Sequence, residues 1–211
     1  MRIRELFVSI QGESTRAGVP TFFIRTSGCN LRCTWCDTTY AYTGGEEMTV
    51  AHIVARAIKA GTPAVSVTGG EPLLQPEISL LVERLLEHGQ EIQVETNGTL
   101  PIDRVNPRAR RIVDMKPPGH GTRAPFLLSN LSLLTAKDEI KFVVGSYEDF
   151  SWARDKTAEL ELDRLCTVLF SPVYGSLSAR RLAKWILEER LNVRLNLQLH
   201  KLIWSASARG V

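Results

Sequence analysis

Short apolar segments rich in valine, isoleucine and phenylalanine alternate along the chain with longer segments in which apolar residues recur every three or four positions. The short segments are typical of buried strands, and the longer ones are typical of amphipathic helices. Strands are predicted at 21–27, 64–70, 92–98, 111–116, 139–144, 167–172 and 193–200. Strands that alternate with helices predict an α/β fold with a parallel sheet.

Three helices follow from the same pattern, at 49–60, from Ile78 to Leu86, and near Ser178 to Arg190. Thr49 is suited to cap the first helix, and Gly61 and Gly89 are suited to end the first and the second. About seven strands in 211 residues are too few for a complete eight-fold barrel, so we expect a partial, open TIM-like (β/α) barrel. No linker divides the chain, which we treat as one domain over 1–211 with an N-terminal extension at about 1–19.

Polar side chains stand at the ends of the predicted strands. They are Arg25, Ser27, Thr68, Glu95, Asn97, Asp114, Lys116, Ser171, Gln198 and His200. Because the active sites of barrel-like α/β proteins lie at the C-terminal ends of their strands, this pattern predicts a site there. Strand ends also meet solvent, which explains any one of these residues taken alone. In the last predicted strand, alternation places the polar residues from Asn196 to His200 on one face and the intervening leucines on the other.

Composition adds mainly exclusions. A hydrophobic content of 44%, a charged content of 23% and a net charge of +3 are typical of a globular protein and give no indication of nucleic-acid binding. We expect the arginines at 108–111 to lie in a solvated loop. No segment approaches the ~18 apolar residues of a membrane span, and the first residues lack the features of a signal peptide. We therefore expect no membrane association and a cytoplasmic location, where thiols stay reduced and disulfides are disfavoured.

Three of the four cysteines are concentrated in one short stretch, GCNLRCTWCDTTY at 28–40. Cys29, Cys33 and Cys36 form a C-x₃-C-x₂-C motif with Trp35 before the last cysteine. A structural zinc site needs four protein ligands, and this stretch contains no fourth cysteine or histidine. Three thiolates suit a cubane iron–sulfur cluster that keeps one iron open. The fourth cysteine, Cys166, is expected to be a small buried apolar residue.

The cysteine motif resembles the signature of the radical S-adenosylmethionine (SAM) enzymes. The resemblance implies that Cys29, Cys33 and Cys36 hold a 4Fe–4S cluster and that SAM chelates the fourth iron. The reduced cluster then cleaves SAM to a 5′-deoxyadenosyl radical. TGGEP, at 68–72, is similar to the family's GGE segment, although alone it could be a simple turn. The SAM-binding residues implied in this way are Trp35, Cys36, Asp37, Gly70, Glu71, Asp114, Lys116 and Ser171.

Within that superfamily the chain looks like a member of the 7-carboxy-7-deazaguanine synthase family. The similarity rests on FVSIQGES at 7–14, on 22–40, on LNLQLHK at 195–201, and on ETNG, EIKFVV and FSPVYG. It implies a carbon–nitrogen lyase of queuosine and 7-deazapurine biosynthesis. Such an enzyme contracts 6-carboxy-5,6,7,8-tetrahydropterin with loss of ammonia, needs Mg²⁺, and regenerates SAM. It also implies a homodimer and a flavodoxin or ferredoxin reductant.

The substrate-binding residues implied by this similarity are Ile10, Gln11, Gly12, Glu13, Arg25, Thr68, His200 and Val211. Gln11 and Glu13 suit the amino-pyrimidine edge of a pterin, and the guanidinium of Arg25 suits a carboxylate. Other interpretations stay open. Gln11 and Glu13 could cap a hairpin, Arg25 could pair with a surface acid, and His200 could be a core histidine.

The similarity assigns the Thr38 hydroxyl to Mg²⁺, although one neutral hydroxyl cannot hold an ion that prefers about six oxygens. We therefore expect Mg²⁺ to bind together with substrate, and the alternative for Thr38 is a loop hydroxyl bonded to the backbone. The chain departs from the family in two places. Ser14 replaces a common glycine, so the turn is expected to differ there, and DMKPPGHG replaces a serine-containing segment.

Two rival functions remain at this point. A glycyl-radical-activating enzyme shares the cysteine motif but acts on a partner protein, and SIQGE, CDT and QLHK argue against it. A ferredoxin-like electron carrier or a zinc-stabilised binding module would leave GGEP and the polar strand ends without a role.

Overall fold

The computed structural model describes residues 1–121, 125–205 and 208–210. In these residues the chain forms one sheet of nine strands together with six α-helices. The strands are β1 (Arg2–Ile10), β2 (Pro20–Thr26), β3 (Glu46–Glu47), β4 (Ala64–Gly69), β5 (Glu91–Thr96), β6 (Arg110–Asp114), β7 (Glu139–Val144), β8 (Thr167–Pro172) and β9 (Arg194–Leu195). The helices are α1 (Val50–Ala60), α2 (Ile78–Glu87), α3 (Tyr147–Glu159), α4 (Leu162–Leu165), α5 (Ala179–Glu188) and α6 (Leu199–Ile203).

The sheet is open and mostly parallel. Its strand order is β3-β1-β2-β4-β5-β6-β7-β8-β9. Every neighbouring pair from β2 to β9 is parallel, whereas β1 runs antiparallel to both β2 and β3. The two edge strands of the described sheet are not neighbours, so the predicted partial, open (β/α) barrel is confirmed. Six of the seven predicted strands are present, each within two residues of its predicted bounds.

Helices α1 and α2 cover the sheet with the faces that the sequence pattern indicated. The side chain of Thr49 accepts a hydrogen bond from the His52 amide at 3.2 Å, which caps α1. Gly61 ends α1 with φ 65°, a left-handed conformation that glycine adopts without a steric penalty. Ile53 and Leu81 on the inner faces are fully buried. Burial of these faces positions the strands whose ends form the site.

Helix α3 was not predicted because its sequence has little amphipathic pattern. Within YEDFSWARDKTAE the buried residues are Asp149, Phe150, Ala153 and Thr157, of which two are polar. The helix begins at a local signal instead, since the hydroxyl of Ser146 accepts from the Asp149 amide at 3.2 Å.

The predicted strand at 193–200 is wrong beyond its first residues. Only Arg194–Leu195 pair with β8, and His200 lies in helix α6. As an edge strand β9 has one neighbour, and the backbone is drawn away from the sheet because the Leu199 amide donates to the Gly12 carbonyl at 2.9 Å. Asn196 and Gln198 nevertheless both donate to Glu13, and His200 lines the same cavity, so the three polar side chains share one side without a strand.

Strand β1 and the turn at 11–19 bring the N-terminal extension into the barrel. Strand β1 pairs along its length with β2, and the turn crosses the inner side of the sheet. Thr15 hydrogen-bonds Glu139 through its amide and hydroxyl, and Arg16 pairs with Glu91. The turn is thus anchored on β5 and β7, the strands that carry polar side chains into the barrel.

Two of the arginines at 108–111 contradict the expectation of a solvated loop. Arg110 and Arg111 lie in β6, and only Arg108 is exposed. The guanidinium of Arg111 is buried and donates to Asp138 at 2.6 Å. Cys166 is buried, as predicted. Among the helices in the described ranges, none has the length and apolar character needed to cross a membrane.

Candidate active site

A cavity of about 820 Å³ opens at the C-terminal ends of the parallel strands. Most of the predicted site residues line it, namely Ile10, Gln11, Gly12, Glu13, Arg25, Cys29, Cys33, Trp35, Cys36, Asp37, Thr38, Thr68, Gly70, Asp114, Lys116 and His200. Glu71 and Ser171 lie beneath its surface, and Val211 lies outside the described residues. Segments that are far apart in sequence therefore meet where the strand ends predicted a site.

The cysteine loop begins where β2 ends and forms one wall of the cavity. Cys29, Cys33 and Cys36 are free, partly exposed thiols that all line the cavity. Gly28 starts the loop with φ 98°, and its amide donates to the Ala41 carbonyl at 2.8 Å, which closes the loop on itself. Burial raises the pKa of the Cys29 and Cys33 thiols.

Two facts bear on whether a 4Fe–4S cluster fits here. Three free cysteines from one loop face one cavity and leave room beside them. In the described part of the chain, no three His, Cys, Asp or Glu side chains converge closely enough to hold a single metal ion. The donor set is the one that a cubane cluster with one open iron requires, and the loop is the part of the chain that would hold it.

The loop is also fixed to the end of β5. The Asn97 amide group donates to the Asn30 side-chain oxygen at 2.9 Å, and the Asn30 amide group donates to the Thr99 hydroxyl at 2.8 Å. Thr99 in turn donates to Asn97 at 2.7 Å, so the three side chains form a closed ring of hydrogen bonds. Asn30 lies between two of the cysteines, and this ring sets the position of the loop relative to the sheet.

The glycine pair of TGGEP presses against the start of the cysteine loop. A Cβ on Gly70 would lie 2.2 Å from the Gly28 carbonyl oxygen and 2.8 Å from the Cβ of Cys29. The Glu71 amide donates to that same carbonyl at 2.8 Å. Only glycine permits this approach, so the pair brings the backbone after β4 to the edge of the cysteine loop.

The side chain of Glu71 binds protein groups, and the SAM contact predicted for this residue stays a prediction. Its side chain is fully buried and accepts from the amides of Asn97 and Leu73, at 2.7 and 3.0 Å, and from the Thr96 hydroxyl at 2.8 Å. Burial outweighs these hydrogen bonds and raises the pKa of Glu71. Its carboxylate fixes the backbone that follows the glycine pair, and Thr68, Gly69 and Gly70 are the residues of the segment that line the cavity.

The turn after β1 forms the opposite wall. The Glu13 amide donates to the Gln11 side-chain oxygen at 3.1 Å, so the hairpin-capping role considered for Gln11 is present. The Glu13 carboxylate accepts from Gln198 at 2.9 Å and from Lys141 at 3.1 Å. Gly12 lies directly under His200, where a Cβ would come 2.1 Å from Nδ1. Glu13 and His200 lie 187 positions apart in the sequence and line the same wall of the cavity.

Lys141 is a lining residue that the sequence-based predictions missed, and Glu95 is one to which they gave a place at a strand end but no role. Lys141 lies in the middle of β7, and its Nζ is 3.9 Å from Glu95 and 3.8 Å from Asp114. Asp114 also pairs with Lys116 at 2.9 Å. A lysine inside the apolar strand EIKFVV was the signal in the sequence, because a charged residue at a buried position needs partners.

Arg25 is held by an acid, as the alternative interpretation suggested, but that acid is in the cavity. Its Nε donates to Glu5 at 2.7 Å, and the Tyr40 hydroxyl donates to the same carboxylate oxygen at 2.7 Å. Burial, together with the Glu5 hydrogen bond, raises the pKa of Tyr40 to about 12. Within the described residues the terminal nitrogens of Arg25 donate no hydrogen bond, so they are free to bind a ligand.

Asp37 and Thr38 connect the cysteine loop to helix α6. The Lys201 ammonium donates to Asp37 at 2.7 Å and lies 5.2 Å from the centre of the Tyr174 ring. The Thr38 hydroxyl lies 3.7 Å from the Cys36 sulfur. The carboxylate nearest to Thr38 in sequence is therefore already paired.

Ser14 and Ser171 are both joined to Asn196 by hydrogen bonds. Ser14 has φ 69°, a conformation that glycine adopts more readily than serine, and its amide donates to Asn196 at 2.9 Å. Asn196 in turn donates to the Ser171 hydroxyl at 2.7 Å. Ser171 is buried and its side chain supports Asn196, and the SAM contact predicted for it stays a prediction.

Sequence comparison identifies relatives along the whole chain. The sequence model of the radical SAM superfamily matches residues 23–161. The chain is 44% identical to the 7-carboxy-7-deazaguanine synthase of Chlorobaculum tepidum, over 100% of this chain and 97% of that protein. It is 41% identical to the enzyme of the same name from Koribacter versatilis, over 100% of both.

Structural comparison agrees with these matches. The crystal structure of QueE from Escherichia coli superposes with a TM-score of 0.72 at 27% identity and covers 93% of each chain. Streptococcus suis SuiB superposes with a TM-score of 0.59 over 83% of this chain and 48% of that one. At 17% identity the second match bears on the fold alone.

Proposed function

The chain belongs to the radical SAM superfamily and, within it, to the family of 7-carboxy-7-deazaguanine synthases, and on that premise we propose that it converts 6-carboxy-5,6,7,8-tetrahydropterin to 7-carboxy-7-deazaguanine with loss of ammonia. One observation carries the proposal. A single cavity holds three free cysteines and the glycine pair on one side and the turn at 11–13 on the other. The extension at about 1–19 is thereby assigned to the substrate site of one radical SAM domain.

The cysteine side of the cavity is assigned to the cofactors. Cys29, Cys33 and Cys36 would hold the 4Fe–4S cluster, and the backbone at 35–37 and at Gly70 would hold SAM. When bound, cluster and SAM supply a 5′-deoxyadenosyl radical. The chain's own part is to place the substrate carbon beside that radical and to keep water out.

The opposite side is assigned to the pterin. The Glu13 carboxylate can accept from the donors of the amino-pyrimidine edge, and the Gln11 side chain lies beside it. Glu5 orients Arg25 through Nε, so the terminal nitrogens of Arg25 can bind the substrate carboxylate as a fork. A substrate held at both ends presents C6, the carbon that bears the carboxylate. Removal of hydrogen from C6, ring contraction, return of hydrogen and departure of ammonia account for every atom.

Mg²⁺ is assigned to Thr38 only in the presence of substrate. Asp37, the neighbouring carboxylate, is engaged by Lys201, which leaves the Thr38 hydroxyl as a neutral ligand. Mg²⁺ needs about six oxygens, so waters and the substrate carboxylate complete its shell. Further proposals from the family are a cytoplasmic homodimer and a flavodoxin or ferredoxin reductant.

The test is anaerobic reconstitution with iron and sulfide, followed by incubation with SAM, dithionite, Mg²⁺ and the carboxytetrahydropterin. The expected products are 7-carboxy-7-deazaguanine and ammonia, with SAM regenerated. SAM cleavage without the deazapurine would refute the specific reaction and leave the superfamily assignment in place.

Thr38→Ala tests the magnesium assignment separately. It should lower the rate of ring contraction at limiting Mg²⁺ while iron and sulfide content stay at the wild-type level, because Thr38 is not a cluster ligand. Equal loss of cluster and activity would mean that Thr38 only supports the loop.

A further inference from the structure

Lys141 is a buried cation to which the assignments above give no role. Its side chain is 9% exposed and faces the cavity from the middle of β7. Carboxylates approach its Nζ from three separate elements. They are Glu13 at 3.1 Å, Asp114 at 3.8 Å and Glu95 at 3.9 Å.

Burial alone would remove the charge of this lysine. The three carboxylates outweigh the loss of water, so the pKa of Lys141 stays well above its usual value. The same ammonium therefore offsets part of the mutual repulsion among three acids, from the turn after β1, from β5 and from β6. Such an arrangement needs a reason, since a buried ion cluster does not by itself stabilise a fold.

The three acids depend on Lys141 to different degrees. Asp114 has a second cation, Lys116, at 2.9 Å. Glu95 accepts only long hydrogen bonds from neutral side chains, at 3.4–3.5 Å, and burial raises its pKa. For Glu13, Lys141 is the sole ion-pair partner in the described part of the chain.

Burial acts against the charge of Glu13 as well. Its pKa is raised by burial but lowered by more through Lys141 and the Gln198 hydrogen bond, with Asp37 opposing. If Glu13 took up a proton, one oxygen would become a donor. That donor would face the amino and ring N–H donors of a pterin edge, and two donors cannot pair.

We propose that Lys141 is a positioning residue that keeps Glu13 ionised and turned toward the cavity, so that Glu13 accepts hydrogen bonds from the donor edge of the substrate. This rests on the proposed function. Lys141 does not touch the reacting carbon. Because the edge that Glu13 binds is remote from C6, the interaction is equally strong in the ground state and the transition state, and it sets KM.

The first test compares Lys141→Met and Lys141→Gln with Lys141→Arg. The neutral variants should raise KM for the carboxytetrahydropterin by about tenfold to 100-fold, as expected for a charge-assisted hydrogen bond, and kcat should change by less than about threefold. Lys141→Arg should recover most of the loss. Lys184→Met, which removes an exposed lysine of α5, is the matched control.

The second test is a double-mutant cycle with Glu13→Gln, whose side chain cannot be ionised. In that background Lys141→Met should change KM by less than about threefold, because the charge that Lys141 supports is already gone. An effect of equal size in both backgrounds would overturn the proposal, as would loss of kcat with KM unchanged. Circular dichroism of Lys141→Gln separates misfolding from mispositioning.

The two levels of inference fail in different ways. If the wild type cleaves SAM but makes no deazapurine, the proposed function falls and the role of Lys141 falls with it. If the wild type makes the product and the neutral variants keep its KM, only the role of Lys141 is refuted.

Discussion

Gly70→Ala should separate the glycine pair from the cysteine loop. The new Cβ would lie 2.2 Å from the carbonyl oxygen and 2.7 Å from the carbonyl carbon of Gly28. Both atoms belong to the backbone, so no side chain can rotate away, and one of the two segments must move by about 1 Å.

The cost follows from the bonds that this movement breaks. The Gly28 carbonyl accepts from Glu71, and the Gly28 amide donates to Ala41, both at 2.8 Å. Loss of one such bond costs about 1 kcal/mol and overpacking costs about 1–3 kcal/mol. The sum, about 3 kcal/mol, corresponds to a fall in Tm of about 6–12 °C for a chain of this length.

Thermal unfolding of the cluster-free protein measures that fall, and iron and sulfide per chain after reconstitution measure the effect on the loop. Gly145→Ala is the matched control, because its Cβ would find its nearest atom at 3.4 Å. We expect the control to stay within about 1 kcal/mol of wild type. If Gly70→Ala has the same Tm as Gly145→Ala and keeps full cluster content, the close approach of the two backbone segments is refuted.

Two further predictions concern ion pairs. Burial alone would raise the pKa of Asp138, but hydrogen bonds from Arg111 and the backbone hold that pKa below its usual value. The ionised carboxylate therefore stabilises the fold at any pH above the usual aspartate pKa, and this contribution is lost as the pH falls through the lowered pKa. Asp138→Asn should therefore lower the unfolding free energy by about 3–5 kcal/mol at pH 7. Urea titrations should show that the difference between wild type and variant becomes smaller toward pH 3. Lys201→Met removes the contact between α6 and Asp37 and should raise KM about threefold to tenfold, with unfolding free energy within about 1 kcal/mol of wild type. An unchanged KM would show that the contact between Lys201 and Asp37 does not contribute to substrate binding.

Six of the parallel strands and the cysteine motif could be predicted because their signals are local, whereas β1 and β3 were not predicted. Buried parallel strands appear as short apolar runs, and the spacing of Cys29, Cys33 and Cys36 is contained in one loop. Helix α3 was not predicted because it buries polar residues such as Asp149. Its apolar residues therefore show little helical period. The strand predicted at 193–200 failed because a single backbone bond to Gly12, distant in sequence, turns the chain away.

The role of side chains in the site depended on non-local contacts. The resemblance to the family implied that Glu71 contacts SAM, and in the structure its carboxylate is buried against three donors, two of which come from the end of β5. Lys141 looked like a minor irregularity in an apolar strand. The structure shows that its ammonium lies near acids from the turn after β1, from β5 and from β6.

The junction between residues 11–14 and 196–200 also has a consequence for the order in which the protein is made. The three cysteines, the glycine pair and Asp114 leave the ribosome before Asn196, Gln198 and His200, which complete the wall around Glu13. A chain that stops before Asn196 contains Glu13 and Arg25 as well as the three cysteines, but it lacks the side chains that hold Glu13 from the other end of the sequence. The wall around Glu13 is therefore completed later in synthesis than the wall that carries the cysteines.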